Sequence, residues 1–285
     1  MPLFSGRISN PILHPSPITA PEPITYISLT MIPLRDENPT LHTSVATFAI
    51  IGLNVASWIL LQGAGFNPGL VKSVFRFGLI PGELLGTLPA GTEYPVGKGL
   101  SYIIETTPNW LSVITSMFMH GGWLHLIGNM WFLAIFGDNV EDAMGPVKFF
   151  IFYLLCGFSA EIAQVLATPS SAVPMVGASG AIGGVMGAYA FLYPRAPVHM
   201  LVFFGFFFFR IVVPAFFMLG YWFLIQFFGG FFTMGSSSGG VAFWAHIGGF
   251  VAGIFLLRFF CSSSRVETCR RRRGKTERLI RKFGR

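Results

Sequence analysis

Residues 241–260 read VAFWAHIGGFVAGIFLLRFF, a run of twenty residues with one charge, on Arg258. About 20 such residues in a helix cross a hydrocarbon core roughly 30 Å thick. Only 11% of the 285 residues are charged, against about 25% in soluble domains. The chain is therefore predicted to be an all-α polytopic membrane protein, which excludes the fibrous, disordered and disulfide-framework classes. Stretches free of Lys, Arg, Asp and Glu lie at residues 38–71, 106–137, 162–194 and 211–257.

Six membrane spans are predicted from the apolar runs and the residues that interrupt them. A further apolar segment, Val198–Phe209, precedes Arg210 and Pro214, and its 12 residues are short for a crossing. We expect it to be interfacial; a seven-span count would require it to cross. Residues 63–110 form a long loop, and such loops are usually functional or mobile. The six spans are placed at residues 43–62, 114–136, 147–167, 177–193, 211–229 and 241–260.

Positive charge is concentrated at the C-terminal end. Residues 265–285 carry ten Lys or Arg and two Glu, a net +8, so the rest of the chain contributes −1 to the total of +7. Basic residues directly after a span favour the cytoplasmic side and attract anionic lipid; binding to nucleic acid or another partner is the less favoured interpretation. We predict a flexible cytoplasmic leader (residues 1–42), a six-helix domain (residues 43–260) and a basic cytoplasmic tail (residues 261–285).

A serine and a histidine begin two predicted spans at the same outer end. Ser179 lies in Gly177-Ala178-Ser179-Gly180, where small neighbours leave its hydroxyl unshielded. His246 begins the sixth span, and Gly249 and Gly253 form a face suited to close packing on the fourth. Such packing would bring Ser179 and His246 to similar depth, where an imidazole is the usual base for a serine nucleophile. Each motif alone is also explained by helix packing.

Two polar residues share one face of the second span. His125 and Asn129 are four residues apart, which separates them by about 40° around a helix. Polar side chains inside a membrane are costly and usually functional. Donors aimed at a developing oxyanion would be one use of this pair; an interhelical hydrogen bond would be another.

Three motifs thus follow one another along the chain: His120, His125 and Asn129 after a long outer loop, then Gly177-Ala178-Ser179-Gly180, then Ala245-His246 with Gly249 and Gly253. Together they resemble the rhomboid family of intramembrane serine proteases over about residues 31–260. The resemblance implies a six-transmembrane-helix rhomboid-like bundle with a long first extracytoplasmic loop, in which residues 43–260 form the catalytic domain.

The resemblance also implies hydrolysis of peptide bonds by a Ser-His dyad. Ser179 would attack the scissile carbonyl, and His246 would accept its proton and return it to the leaving amine. Asn129 and His125, with the Ser179 backbone N–H, would stabilise the oxyanion. His120 and Glu141 match positions with structural roles, which brace the first loop and the inner end of the second span.

Some residues depart from the family pattern or have no assigned role. Trp110 is followed by Leu111 rather than by the arginine of some members, and Gly183 stands where some members place a tyrosine that stacks on the histidine. Both departures indicate a different orientation of His246. Glu161 is the only acidic residue in an outer half-span, and it would either line a water route or snorkel outward.

The implied substrate is a single-span membrane protein, cut near the outer membrane face after a small residue. Helix-weakening residues such as Gly and Pro lower the cost of unwinding it. We expect the 63–110 loop and the fifth span to act as gates. No cofactor, metal, nucleotide or nucleic acid is expected, and membrane lipid is the other partner. The expected location is the bacterial or archaeal plasma membrane, as a multi-pass protein with both termini cytoplasmic.

Other classes of function are less well supported by the sequence. A zinc protease would need a His-Glu-x-x-His helix, and an aspartyl protease would need paired intramembrane aspartates, whereas Asp36, Asp138 and Asp142 lie at cytoplasmic edges of the predicted spans. The main alternative is a rhomboid-like non-catalytic protein that binds membrane clients, although its usual signature is loss of the serine or histidine. A transporter or channel is a third class, and it would need paired broken helices or ion-ligating carboxylates.

Overall fold

The computed structural model describes residues 30–97, 100–104, 107–204, 207–233, 241–261, 264–265 and 267–268. Residues 1–29 of the predicted leader and most of the basic tail lie outside these residues. The described elements, in chain order, are β1 (Thr30–Asp36), α1 (Val45–Leu60), α2 (Gly69–Phe77), α3 (Pro81–Leu84), β2 (Glu93–Gly97), β3 (Leu100–Ile103), α4 (Ser112–Thr115), α5 (Trp123–Met144), α6 (Pro146–Ala167), α7 (Ser179–Leu192), β4 (Pro197–Phe204), β5 (Phe207–Pro214), α8 (Ala215–Phe232) and α9 (Phe243–Phe260).

Six helices of 14 or more residues, α1 and α5 to α9, overlap the segments predicted as spans. The largest differences are at α5, which begins at Trp123 rather than at 114 and ends at Met144 rather than at 136, and at α8, which begins at Ala215 because residues 211–214 belong to β5. Within the described residues, α6, α8 and α9 are long and apolar enough to cross a membrane, while α1 and α7 are apolar but shorter. Helix α5 has 22 residues, and three carboxylates near its C-terminal end lower its hydropathy. The protein is mostly helical, and the count of six spans stays a prediction.

A three-stranded antiparallel sheet, ordered β1-β4-β5, is the main departure from the predicted all-α class. Strands β4 and β5 form a hairpin in the segment predicted to be interfacial, and β1 pairs with β4 from within the predicted flexible leader. Their aromatic and β-branched residues suit a pleated surface. A short apolar run does not by itself distinguish a strand from a helix.

The hairpin ends where α8 begins, and it fixes that end of α8 to the end of α7. The Ala215 N–H donates to the Ala196 carbonyl and the Phe216 N–H donates to the Pro194 carbonyl, each at 2.9 Å. Chain continuity and these two backbone hydrogen bonds set the C-terminal end of α7 and the N-terminal end of α8 side by side.

Helices α7 and α9 make the closest backbone contact in the described fold. A Cβ atom on Gly249 would overlap the carbonyl oxygen of Gly180, and one on Gly253 would overlap that of Gly184. Nearly all of α7 is buried, so it forms the centre of the bundle. Because lipid supplies no hydrophobic drive between helices, close packing of small residues provides much of their attraction.

Two carboxylates near the C-terminal end of α5 hold the start of α1. Glu141 Oε1 accepts from the Ala46 N–H at 2.9 Å, and Glu141 Oε2 accepts from both the N–H and the hydroxyl of Thr47 at 2.8 Å. Asp142 accepts from the Leu41 and His42 backbone N–H groups at 2.5 and 3.2 Å. The first N–H groups of a helix have no intrahelical partner, and Glu141 satisfies two of them inside a buried site. The predicted bracing role of Glu141 is consistent with these contacts.

The 63–110 loop is structured in its described parts and contacts the segment before α7. It contains α2, α3 and the β2–β3 hairpin. Leu79 exchanges two backbone hydrogen bonds with Met175, at 3.0 and 2.7 Å, and the Gly82 N–H donates to the Ser171 carbonyl at 2.9 Å. The loop is therefore attached to the chain that leads into Ser179.

The contact between α7 and α9 predicts a large difference between two glycine substitutions. Gly253→Ala places a methyl group against the Gly184 carbonyl, so we expect the free energy of unfolding to fall by about 3 kcal/mol. Gly220→Ala, on α8, meets no atom within 4 Å and should unfold at or above the wild-type temperature. Thermal unfolding in detergent, followed by tryptophan fluorescence, measures both. Equal unfolding temperatures would contradict the described packing.

The cap on α1 predicts that Glu141→Gln destabilises the protein although it preserves shape. One acceptor oxygen becomes an amide N–H₂ group that faces a backbone N–H, so we expect a loss of about 1–3 kcal/mol in the same measurement. Glu37→Gln is the matched control, since the Glu37–His199 pair is partly exposed and should contribute less than about 1 kcal/mol. Similar effects for the two variants would argue against the cap.

Candidate active site

Ser179 and His246 lie side by side at the N-terminal ends of their helices. Ser179 is the first residue of α7, and His246 lies in the first turn of α9. The Ser179 Oγ atom is 2.7 Å from the His246 Nε2 atom. The glycine contacts between α7 and α9 allow this approach, because they let the two backbones meet without intervening side chains.

Two residues of α8 contact His246, and neither of them was predicted from the sequence to be part of the site. The Gln226 Oε1 atom is 2.7 Å from the His246 Nδ1 atom. The Trp222 ring lies against the imidazole, with ring centroids 5.7 Å apart and planes inclined by 40°. Residues four apart lie on the same helix face, so one face of α8 supplies both contacts. The sequence signal that could have identified Gln226 is a single amide side chain within an apolar helix, because such an amide is costly in lipid unless it has a hydrogen-bond partner.

These contacts determine which nitrogen of His246 carries the proton in the neutral ring. A side-chain amide oxygen only accepts hydrogen bonds, so the Nδ1–H must donate to Gln226. The Nε2 atom is then an acceptor, and the Ser179 hydroxyl donates to it. A serine hydroxyl that donates to imidazole is the arrangement a general base requires.

His125 and Asn129 lie across a cavity from the dyad. Ser179, His246, His125 and Asn129 all line this space, whose volume is about 1120 Å³. The Asn129 Nδ2 atom is buried and lacks a hydrogen-bond partner among the described residues. The His125 Nδ1 atom accepts from the Gly121 N–H at 3.3 Å, which leaves the proton of the neutral ring on Nε2. Two N–H groups are therefore available near the start of α7.

Gly177 brings the chain that leads into Ser179 close to those donors. Its φ of +128° is a conformation that side chains rarely adopt, and a Cβ atom there would lie 2.7 Å from His125 Nε2 and 3.6 Å from Asn129 Nδ2. The first N–H groups of α7 have no acceptor within the helix. The structure thus brings together all four sequence-predicted site residues.

His120 has a supporting position beside the site. Its backbone exchanges two hydrogen bonds with the Gln62 amide, at 2.7 and 2.8 Å, and its ring contacts the ring of His125 edge to face. His120 is fully buried. It therefore ties the end of α1 to the start of α5 and supports His125.

Glu161 faces the protein interior, so of the two sequence expectations outward snorkelling is wrong. Its side chain is 7% exposed, and one carboxyl oxygen is hydrogen-bonded to the Ser116 hydroxyl. It lines a small space of about 30 Å³ behind Ser179, which is enough for a water molecule. Its other carboxyl oxygen is buried and has no hydrogen-bond partner among the described residues.

Comparison with known proteins identifies relatives over the helical part of the chain. The profile of the Rhomboid domain family matches residues 107–263, more than half of the chain. RHOMBOID-like protein 6, mitochondrial, of Arabidopsis thaliana is 37% identical over 166 residues, which cover 54% of this chain and 53% of that protein. Rhomboid protein 1, mitochondrial, of Saccharomyces cerevisiae is 30% identical over 57% of this chain and 40% of that protein. Rhomboid-like protein 11, chloroplastic, of Arabidopsis thaliana is 39% identical over 30% of each chain.

The names of the relatives bear on activity and location. The matched part of this chain spans about half or less of these relatives' length. Inactive rhomboid protein 1 of Drosophila melanogaster also matches, with 31% identity over 29% of this chain and 6% of that protein. Mitochondrial and chloroplastic names do not support the expected bacterial or archaeal plasma membrane. The extent of the profile match and the order of the site motifs lead to one conclusion: the chain belongs to the rhomboid family of membrane-embedded proteins.

Proposed function

We propose that the protein is an intramembrane serine endopeptidase with a Ser-His dyad. The observation that carries this proposal is the 2.7 Å hydrogen bond between Ser179 Oγ and His246 Nε2, in a cavity that Asn129 and His125 also line. A peptide bond that enters this cavity meets a nucleophile, a base and two donors. A protein that only binds its client would need neither a nucleophile nor a base hydrogen-bonded to it.

Each proposed step follows from the geometry of the resting site. Ser179 Oγ attacks the scissile carbonyl while His246 Nε2 takes its proton. Asn129 Nδ2, His125 Nε2 and the Ser179 N–H donate to the oxyanion that forms. The imidazolium then protonates the leaving amine, and an acyl-serine remains. Water, deprotonated by His246, hydrolyses the ester and restores the hydroxyl of Ser179.

The proposed substrate is a single-span membrane protein cut near its outer end. A membrane helix hides its peptide bonds in its own hydrogen bonding, so residues that weaken the helix lower the cost of presenting them. The volume of about 1120 Å³ accommodates an extended segment of several residues. Cleavage after a small residue is carried over from the resemblance to the family.

The proposed topology is six spans in a domain at residues 43–260, with both termini on the cytoplasmic side. Its support is the position of the helices, together with the lack of Lys and Arg in residues 168–176 and 230–240 against the basic residues 265–285. The plasma membrane of a bacterium or archaeon stays a prediction from sequence. The names of two relatives favour a mitochondrial membrane as the alternative.

A non-catalytic client-binding protein is the second candidate. It is favoured by one relative, whose name describes it as inactive. Against it stands the retention in this chain of both dyad residues, hydrogen-bonded to each other.

Substitution of the nucleophile separates these two functions. We expect the purified protein in lipid vesicles to cut a single-span substrate with glycine near its outer end, and Ser179→Ala to abolish cleavage because no other hydroxyl is bonded to His246 among the described residues. Ser159→Ala is the matched control, since that hydroxyl bonds only the Leu155 carbonyl of its own helix. Products are measured by mass spectrometry. Identical traces for wild type and Ser179→Ala, or no cleavage by either, would favour the binding protein.

The proposed oxyanion donor predicts a loss of rate without a loss of stability. Asn129→Ala removes an amide whose nitrogen has no resting partner in the described part of the chain, so we expect the unfolding temperature to change little. The same change should lower kcat by about 100-fold or more, as for removal of other oxyanion donors, and leave KM nearly constant. Steady-state kinetics and thermal unfolding measure the two effects. A loss of stability that parallels the loss of rate would make Asn129 a packing residue instead.

A further inference from the structure

Helix α8 directs one polar side chain, that of Gln226, into the bundle, while the opposite side of the helix is exposed to lipid. Gln226 is 7% exposed, whereas Leu224, Ile225 and Phe228 beside it are about half exposed. Burial of an amide inside a membrane is unfavourable unless its hydrogen bonds are satisfied. The Gln226 oxygen meets that condition through the Nδ1–H of His246, at 2.7 Å.

From this geometry we infer that Gln226 is the positioning residue of the dyad, so that the site works as Ser179, His246 and Gln226 rather than as two residues alone. This inference rests on the proposed function. The amide oxygen holds the ring proton on Nδ1, which keeps the Nε2 lone pair directed at the serine hydroxyl. With the proton on the other nitrogen, Nε2 would be a donor and would be unable to take the proton of Ser179.

The same hydrogen bond strengthens when the reaction begins. Proton transfer from Ser179 makes His246 an imidazolium, and its Nδ1–H then donates as a charged group to the Gln226 oxygen. Hydrogen bonds with one charged partner are about twice as strong as neutral ones. An interaction that is stronger in the transition state than in the ground state lowers the barrier. Gln226 therefore affects kcat rather than substrate binding.

Gly183 accounts for why this support comes from α8 rather than from α7. A Cβ atom at Gly183 would lie 3.0 Å from the His246 carbonyl oxygen, so a side chain there would press on the backbone of α9. The same position lies 3.7 Å from the Trp222 ring, which packs against the imidazole. Trp222 and Gln226 of α8 therefore both contact the imidazole, whereas Gly183 of α7 has no side chain with which to do so.

The test compares three substitutions of Gln226 in vesicles, with kcat and KM measured separately. Gln226→Met keeps the length of the side chain but has only a weak acceptor, so we expect kcat to fall by about 10- to 100-fold with KM within twofold of wild type. Gln226→Glu keeps an acceptor oxygen in either protonation state and should retain kcat within about threefold. Gln226→Asn is too short to reach Nδ1 and should resemble Gln226→Met while remaining polar.

A fluorophosphonate that labels activated serines gives a second readout that involves no peptide substrate. The rate of Ser179 labelling should fall in Gln226→Met and Gln226→Asn by a factor similar to that in kcat. Ile225→Met is the matched control, because that side chain is 45% exposed on the lipid-facing side of the same helix. Thermal unfolding identifies a variant that fails to fold, in which case Gln226→Asn replaces Gln226→Met in the comparison.

The possible results separate the inference from the proposed function. Loss of kcat and of labelling in Gln226→Met, with recovery in Gln226→Glu, supports the positioning role. An active wild type with unchanged kcat in Gln226→Met and Gln226→Asn, or with a loss confined to KM, overturns it and leaves the protease intact. A wild type that neither cleaves nor labels at Ser179 removes both proposals together.

Discussion

The close contact between two glycines of α9 and two backbone carbonyls of α7 is the constraint on which the other features of this protein depend. Gly249 and Gly253 present bare Cα atoms to the carbonyls of Gly180 and Gly184. In lipid such an approach is held by dispersion and close packing rather than by exclusion of water. It sets the axes of the two helices so near that the first turn of α9 reaches the first residue of α7. The Ser179–His246 hydrogen bond is a consequence of that distance.

Polar groups are concentrated at the two ends of the bundle, and each end has a separate task. At the C-terminal end of α5, Glu141 and Asp142 satisfy backbone N–H groups around the start of α1. Before the N-terminal end of α5, the Gln62 amide hydrogen-bonds the His120 backbone, and Gly177 brings the chain against His125. Because the backbone is held at both ends, the N–H donors of His125 and Asn129 lie beside the cavity before any substrate binds.

The sequence allowed prediction of what depends on composition and local spacing. Long apolar runs place the six longer helices, and a serine, a histidine and an asparagine in spans are unusual enough to be noticed. Strand β1 was missed because its partner, β4, is more than 150 residues away and no local pattern specifies that pairing. Gln226 was missed for a related reason. The face that an amide presents in a uniformly apolar helix is decided by tertiary packing, and only coordinates connect it to His246.

The backbone hydrogen bonds that join the start of α8 to the end of α7 make that end of α8 a pivot. Gln226 lies 11 residues beyond Ala215 and Phe232 lies 17 beyond, or about 16 and 25 Å at 1.5 Å per residue. A tilt of about 10° at the pivot would carry Gln226 by about 3 Å, more than a hydrogen bond tolerates. A tilt of α8 that opened the cavity would therefore also break the Gln226–His246 hydrogen bond. Under the proposed function, a client admitted by such a tilt would be cut only after α8 had returned to the described position.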